Sequence, residues 1–284
     1  MKKLNSILKL RNSIAMIYFL LLPGLTVSQL EFLLHEVDPN YSANHIAEDF
    51  EGNILVVSGS NFIGKYNPTQ NEYSWTTAIL PAEGSTGYAS PLDMTIDGSG
   101  NSYLTGWYTG SLAFGSTVLT SLVNSQHIYQ KSDIFVTKLD PNGNFLWAKS
   151  FGTNVGTDRS NAIALDGSGN IYITGLFCNK ICSGPPQASP LEIEDIYVAK
   201  LNTSGNLVWQ KRFAPSKVIC ENGGGGHDIT VDASGNIYTT GWFQGTFKFG
   251  NTAALTLTSQ GQGDVFTIKL NNTGTALWAR AGNG

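Results

Sequence analysis

Asp97-Gly-Ser-Gly-Asn101-Ser-Tyr-Leu-Thr-Gly106 returns as Asp166-Gly-Ser-Gly-Asn170-Ile-Tyr-Ile-Thr-Gly175 and again as Asp232-Ala-Ser-Gly-Asn236-Ile-Tyr-Thr-Thr-Gly241. A fainter copy, Asp49-Phe-Glu-Gly-Asn53-Ile-Leu-Val-Val-Ser58-Gly59, precedes them. Each couples a turn of Asp, Ser, Asn and Gly, which tolerate positive φ, to a run of Ile, Tyr, Val and Thr, which suits a strand. A second element follows each copy. It reads Asp133-Ile-Phe-Val-Thr-Lys138 through Gly143 to Trp147, then Asp195 to Lys200, Gly205 and Trp209, then Asp264 to Lys269, Gly274 and Trp278. The first unit keeps only Lys65 and Trp75, with one extra residue between them.

Two hairpins per unit predict a four-stranded antiparallel sheet, its strands lettered A to D. Such a sheet is apolar on both faces, and stacking the units around an axis buries both. The expected fold is therefore all-β: a β-propeller of four-stranded antiparallel blades, four blade repeats visible, their ring not necessarily complete. The units run over about 43–79, 91–151, 160–213 and 227–281.

The chain starts with Lys2, Lys3, Lys9 and Arg11, then an apolar run from Ile14 to Leu22, then Pro23-Gly24 and the small residues Thr26-Val27-Ser28. This predicts a signal peptide over 1–28 and a repeat domain over 29–284, secreted or extracellular, with no membrane span once the signal is removed. A single N-terminal anchor is the alternative. The net charge is -4 and only 13% of residues are charged, which excludes the clustered basic surface that nucleic acid needs.

These motifs resemble the bacterial seven-bladed β-propeller repeat family, abbreviated SBBP, over roughly residues 43 to 281. The resemblance implies binding or scaffolding in a large secreted or surface protein, and says almost nothing of an activity. Four units are visible where the family name implies seven, which favours a chain that is the first part of something longer.

Alternating strand direction puts the short A–B and C–D turns on one side of the disc and the uneven B–C and D–A connections on the other. The B–C connections lie near 109–132, 178–194 and 244–263, the D–A connections near 79–91, 152–160 and 214–227. Variable loops on a rigid scaffold mark the expected working face, with a protein or glycan as partner. Cys178, Cys182 and Cys220 fall there; in an oxidising compartment one pair is expected, Cys220 with either of the others or Cys178 with Cys182.

Candidate chemistry is sparse. His45, Asp93 and Asp228 align at the start of strand A, where Ala162 stands in the third unit, and would rim the channel mouth. Asp133, Asp195 and Asp264 open strand C and are expected to cap their own loops rather than form a ring for a cation or sugar. Lys65, Lys138, Lys200 and Lys269, in mid-strand, are expected to snorkel or to pair with carboxylates between blades. Trp107 and Trp242 are expected in the core, and Gly223 to Gly226 as a flexible lead-in to the fourth unit. Asp97, Ser99 and Asn101 alternate like calcium ligands, but Gly stands at position four and no distal Glu follows. Gly59 to Lys65 matches a phosphate loop by spacing only, since Tyr66 replaces its Ser or Thr. No cofactor, metal or catalytic residue is therefore assigned. The functional expectation is a secreted non-enzymatic binding or structural module; the alternative is an extracellular hydrolase or lyase acting on polysaccharide through carboxylates at the channel mouth.

Overall fold

The structure, a computed structural model, describes residues 43–58, 61–122, 131–154, 156–182, 191–217, 223–261 and 263–282. The expected signal peptide lies outside them.

The repeated turn explains its own sequence. Asp97 Oδ1 accepts the amides of Ser99 at 2.9 Å and Asn101 at 3.0 Å. Its Oδ2 takes Asn101 Nδ2 at 2.8 Å and the Tyr103 hydroxyl at 3.0 Å. Gly100 closes the loop at φ 80°, a conformation that L-residues avoid. Asp166 and Asp232 repeat the arrangement with Asn170 and Tyr172, and with Asn236 and Tyr238. Burial raises the Asp97 and Asp166 carboxyls, but their combined hydrogen bonds outweigh it and hold both below the usual range.

Four antiparallel four-stranded sheets result. The first holds β1 (Ala43–Glu48), β2 (Ile54–Ser58), β3 (Phe62–Asn67) and β4 (Glu72–Ala78). After a short β5 (Leu80–Pro81) come β6 (Tyr88–Ile96) and β7 (Ser102–Thr109). An inserted hairpin of β8 (Ser111–Phe114) and β9 (Thr117–Thr120) precedes β10 (Asp133–Leu139) and β11 (Phe145–Phe151), which complete the second sheet. The third is β12 (Arg159–Leu165), β13 (Ile171–Cys182), β14 (Leu191–Leu201) and β15 (Leu207–Phe213). The fourth begins with β16 (Gly223–Val231) and β17 (Ile237–Gln244). It inserts β18 (Thr246–Lys248) and β19 (Thr256–Thr258) around one 3-10 turn, then ends with β20 (Asp264–Leu270) and β21 (Ala276–Gly282). The first strands β1, β6, β12 and β16 pack each against the next. This is a β-propeller of four-stranded blades.

Three apolar seams join consecutive blades. Leu55, Val57 and Trp75 meet Met94, Leu104, Phe135 and Leu139. Tyr103, Ile134 and Val136 meet Ile171, Ile173, Tyr197 and Leu201. Tyr172, Ile196 and Val198 meet Ile229, Phe243, Phe266 and Ile268. Each such side chain, fully buried, contributes about 1.5–3 kcal/mol. The strand-D tryptophans finish the seams: Trp75 Nε1 donates to the Pro141 carbonyl at 2.8 Å, and Trp209 Nε1 to Asn272 at 3.0 Å.

Several expectations change. The lysines do pair with carboxylates, but inside a blade. Lys65 Nζ lies 2.7 Å from Asp49 and Lys138 Nζ 3.5 Å from Asp97, each reaching the A–B turn of its own sheet. Cross-strand register fixes this, because Lys138 stands opposite both Tyr103 and Trp147, and its ammonium sits 4.7 Å from the Tyr103 ring centre. Lys200 and Lys269 repeat it over Tyr172 and Tyr238.

Gly223 to Gly226 form the first half of β16, all buried. A Cβ on Gly226 would lie 1.9 Å from Thr174 Oγ1, and one on Gly224 2.9 Å from Ile196 Cγ1. The run is glycine because the third blade presses on it, not because the chain there needs freedom.

Two uneven B–C connections are hairpins rather than open loops: β8–β9 pairs with β5, and Pro215 bridges to Phe247 of β18–β19. Each ties the linker leaving one blade to an insert in the next. In the third blade, β13 and β14 simply extend as a longer ladder. Trp107 and Trp242 are half-buried, outside the core.

Candidate functional site

Each first strand carries a bulge at the same place. The register shifts between Ala43 and His45, Pro91 and Asp93, Ser160 and Ala162, and Gly226 and Asp228. A bulge turns the residue after it and leaves a carbonyl projecting. The Thr-Gly of the neighbouring strand answers that carbonyl: a Cβ on Gly106, Gly175 or Gly241 would lie 2.0–2.1 Å from the oxygen of Ser90, Arg159 or Gly225. The bulge thus presents His45, Asp93, Ala162 and Asp228 at equivalent inner positions.

His45 and Asp93 come together. Nδ1 of His45 lies 3.1 Å from Asp93 Oδ1, with side chains 21% and 14% exposed. Asp93 Oδ1 also accepts the Met94 amide at 2.8 Å, and Oδ2 accepts the Ile163 amide at 2.8 Å. One carboxylate therefore ties the first, second and third blades at the inner rim. Asp228 is exposed, caps the Ile229 amide at 2.8 Å, and acts on the other two through its charge. Burial pushes Asp93 up to about 7 against its two amide bonds, and the charge of Asp228 adds to the rise. Burial lowers His45, with Asp228 opposing. Between the third and fourth blades Asn161 Nδ2 donates to the Gly226 carbonyl at 2.7 Å.

The strand-C aspartates stay with their own blades. Asp133 Oδ2 accepts the Leu122 amide at 2.6 Å, and Asp264 Oδ2 the Gln260 amide at 2.8 Å. Asp195 holds Arg212 at 3.0 Å. Two of the three cap a loop, and the third holds an ion pair. Sequence reasoning missed Asp158, fully buried, which accepts the amides of Cys178 and Thr153 and pins the D–A connection to the end of the third blade. Burial raises it to about 7, and Asp133 to about 6. Nothing repeats around Asp158, so no sequence signal singled it out.

Cys178 is buried near the far end of β13. The Cys182 side chain and Cys220 lie outside the described residues, and the disulfide expectation with them. Among the described residues no group of three or more His, Cys, Asp or Glu is placed to hold a metal ion, and no helix is long and apolar enough to cross a membrane.

The outer side of the first seam differs in kind. In the β5–β8–β9 sheet Leu80, Ala113 and Val118 stand opposite one another in register. They form one row on the face away from the core, with Leu80 59% and Val118 56% exposed. The alternate residues Leu112 and Phe114 are buried beneath. Tyr88, at the start of β6, stacks at a tilt on Trp107 with ring centres 5.6 Å apart and is itself 41% exposed.

All these features sit on a β-propeller of repeated blades, the class that fold and sequence together define. No protein-family model matches the chain. An uncharacterised WD repeat-containing protein of Acanthamoeba polyphaga mimivirus is 28% identical over 163 residues, which is 51% of this chain and 11% of that protein. The chain thus spans only about a tenth of that relative. Among solved structures, the gluconolactonase XC5397 of Xanthomonas campestris aligns over 85% of this chain and 62% of its own, at 12% identity and a TM-score of 0.38. BamB of Moraxella catarrhalis aligns over 83% and 75%, at 15% identity and a TM-score of 0.30.

Proposed function

We propose that the chain is an exported propeller-repeat protein of the SBBP type, a binding or structural module outside the cell rather than an enzyme. Its partner, a protein or a glycan-bearing surface, docks on the side of the B–C and D–A connections. The observation that carries this reading is the exposed row Leu80–Ala113–Val118, set on a small sheet whose other face is locked into the core. Apolar side chains held out by a rigid support are the usual core of a protein interface. The equivalent strand of the fourth blade presents Lys248 instead, so the feature belongs to one place and is not imposed by the repeat. The Tyr88–Trp107 pair, with Tyr88 partly exposed, supplies faces on which a sugar ring can stack.

Asp93 supports the same reading from the other side. Its oxygens are engaged by Met94, Ile163 and His45, which makes it a clamp between blades, whereas a general base must face its substrate. The test is a binding and turnover screen of the purified chain against polysaccharides and extracellular proteins. Leu80→Asp with Val118→Asp is expected to weaken binding at least tenfold, and Asp93→Ala with Asp228→Ala to leave it within about twofold. Polysaccharide cleavage lost in the Asp93 and Asp228 variants would establish the hydrolase or lyase instead.

A further inference from the structure

We infer that the outward face of the fourth blade is a docking surface for a further blade of this same repeat, gripped by Trp278 closing over a left-handed glycine in that blade's C–D turn. The three seams supply the template. In each, the strand-D tryptophan of one blade lies on the turn glycine of the next: Trp75 on Gly143, Trp147 on Gly205, Trp209 on Gly274. Those glycines have φ of 82°, 75° and 76°. The fit excludes a side chain, since a Cβ on Gly143 would stand 2.5 Å from the Trp75 ring and one on Gly205 2.8 Å from that of Trp147.

The fourth blade carries the donor half of this joint, and among the described residues no glycine is found against Trp278. Trp278 stands beside Tyr238 with ring centres 6.2 Å apart, as Trp147 stands beside Tyr103 at 6.3 Å, and Lys269 covers Tyr238 as Lys138 covers Tyr103. Next to this column Ile134 and Ile196 are fully buried by the following blade, while their counterpart Val265 is 56% exposed.

The first blade does not provide the missing acceptor. Asn71 occupies the place of Gly143, Gly205 and Gly274, four residues before the strand-D tryptophan. It keeps the left-handed backbone, at φ 57°, but its side chain is held by the Tyr66 hydroxyl at 2.6 Å. Its Cβ falls where the indole would lie. In all three seams the acceptor is the next repeat in chain order, so the occupant is a repeat of that kind, with a glycine in its turn, following in the same polypeptide.

The experiment extends the full chain with a second copy of residues 154–213 placed after Gly284, in the register in which they follow the second blade. Hydroxyl-radical footprinting then reads the Trp278 and Val265 side chains. The extension is expected to lower their oxidation by about fivefold or more, as burial under a blade requires. Changing the glycine of the copied turn to Asn, the residue of the first blade, preserves the left-handed turn and tests the joint alone. That extended chain is expected to oxidise at Trp278 as the unextended chain does. Equal protection by the Gly and Asn copies, or none by either in a chain whose added blade is folded by circular dichroism, would overturn the inference.

Discussion

A methyl group added to Gly175 would sit 2.0 Å from the Arg159 carbonyl oxygen, inside any permitted contact. Gly167, in the turn before it, has nothing within 4 Å and no left-handed backbone. Gly175→Ala is therefore expected to cost about 1–3 kcal/mol, the usual range for overpacking, and Gly167→Ala less than about 0.5 kcal/mol. Urea denaturation of the two variants checks this, and equal midpoints would mean that the bulge relaxes freely. The contrast also marks what single residues disclose. The turn glycines at 100, 169 and 235 announce positive φ through their neighbours Asp, Ser and Asn. Gly106, Gly175 and Gly241 are equally repeated, yet their reason is a carbonyl on another strand. Asp93 is similar: alignment placed it with His45 and Asp228, but its bond to Ile163 depends on how one blade leans on the next. Trp107 and Trp242 read as core in the sequence yet are half-buried, because strand pattern gives a face and not the depth of its cover.

Elements read from the repeat were legible where the repeat was strict. The four strands of each blade follow from turns and alternation, whereas the inserts do not. Gly110-Ser111-Leu112-Ala113-Phe114-Gly115 and Gly245-Thr246-Phe247-Lys248-Phe249-Gly250 are in fact two copies of one short hairpin strand. In the sequence they read as variable loops because the third blade lacks the copy. Gly223 to Gly226 misled in the opposite direction, since four glycines suggest freedom until the packing partner is known. The hairpin is a structural clamp on its inner face: Leu112 and Phe114 are at most 1% exposed, and Phe114 packs edge-on to Phe145 with ring centres 5.8 Å apart. Phe114→Ala is expected to cost about 3–5 kcal/mol, as for other buried phenylalanines. Val118→Asp, on the outer face of the same hairpin, is expected to change stability by less than about 0.5 kcal/mol. Thermal and urea unfolding measure both. A large loss for Val118→Asp would show that the outer row is supported from above and is not a free docking surface.

At the scale of the molecule the buried acids set how stability varies with pH. Asp93 and Asp158 stand near 7 and Asp133 near 6, all above their unfolded value because burial disfavours the charge. A raised carboxyl contributes stability that is complete below its unfolded pKa and is lost as pH rises through the folded one. The turn acids Asp49, Asp97, Asp140 and Asp166 are lowered, so their contribution is present above the unfolded value and is lost as pH falls. His45, lowered by burial, likewise contributes above its unfolded value and loses that contribution on acidification. The opposing slopes place maximum stability near about pH 4, with a decline from there to about pH 7 as the unfolded chain loses the protons that Asp133, Asp93 and Asp158 keep in the fold. In a chain of this size each kcal/mol lost lowers Tm by roughly 2–4 °C. Asp93→Asn and Asp158→Asn each remove a charge that has to form in a buried site, so each is expected to flatten the decline between about pH 4 and 7. Melting curves from about pH 4 to 9 on the parent and the two variants provide the measurement. An Asp93→Asn variant whose Tm falls between about pH 4 and 7 as steeply as the parent's would show that Asp93 is already ionised there and held by His45, and that the clamp joining the first three blades is an ion pair rather than a shared proton.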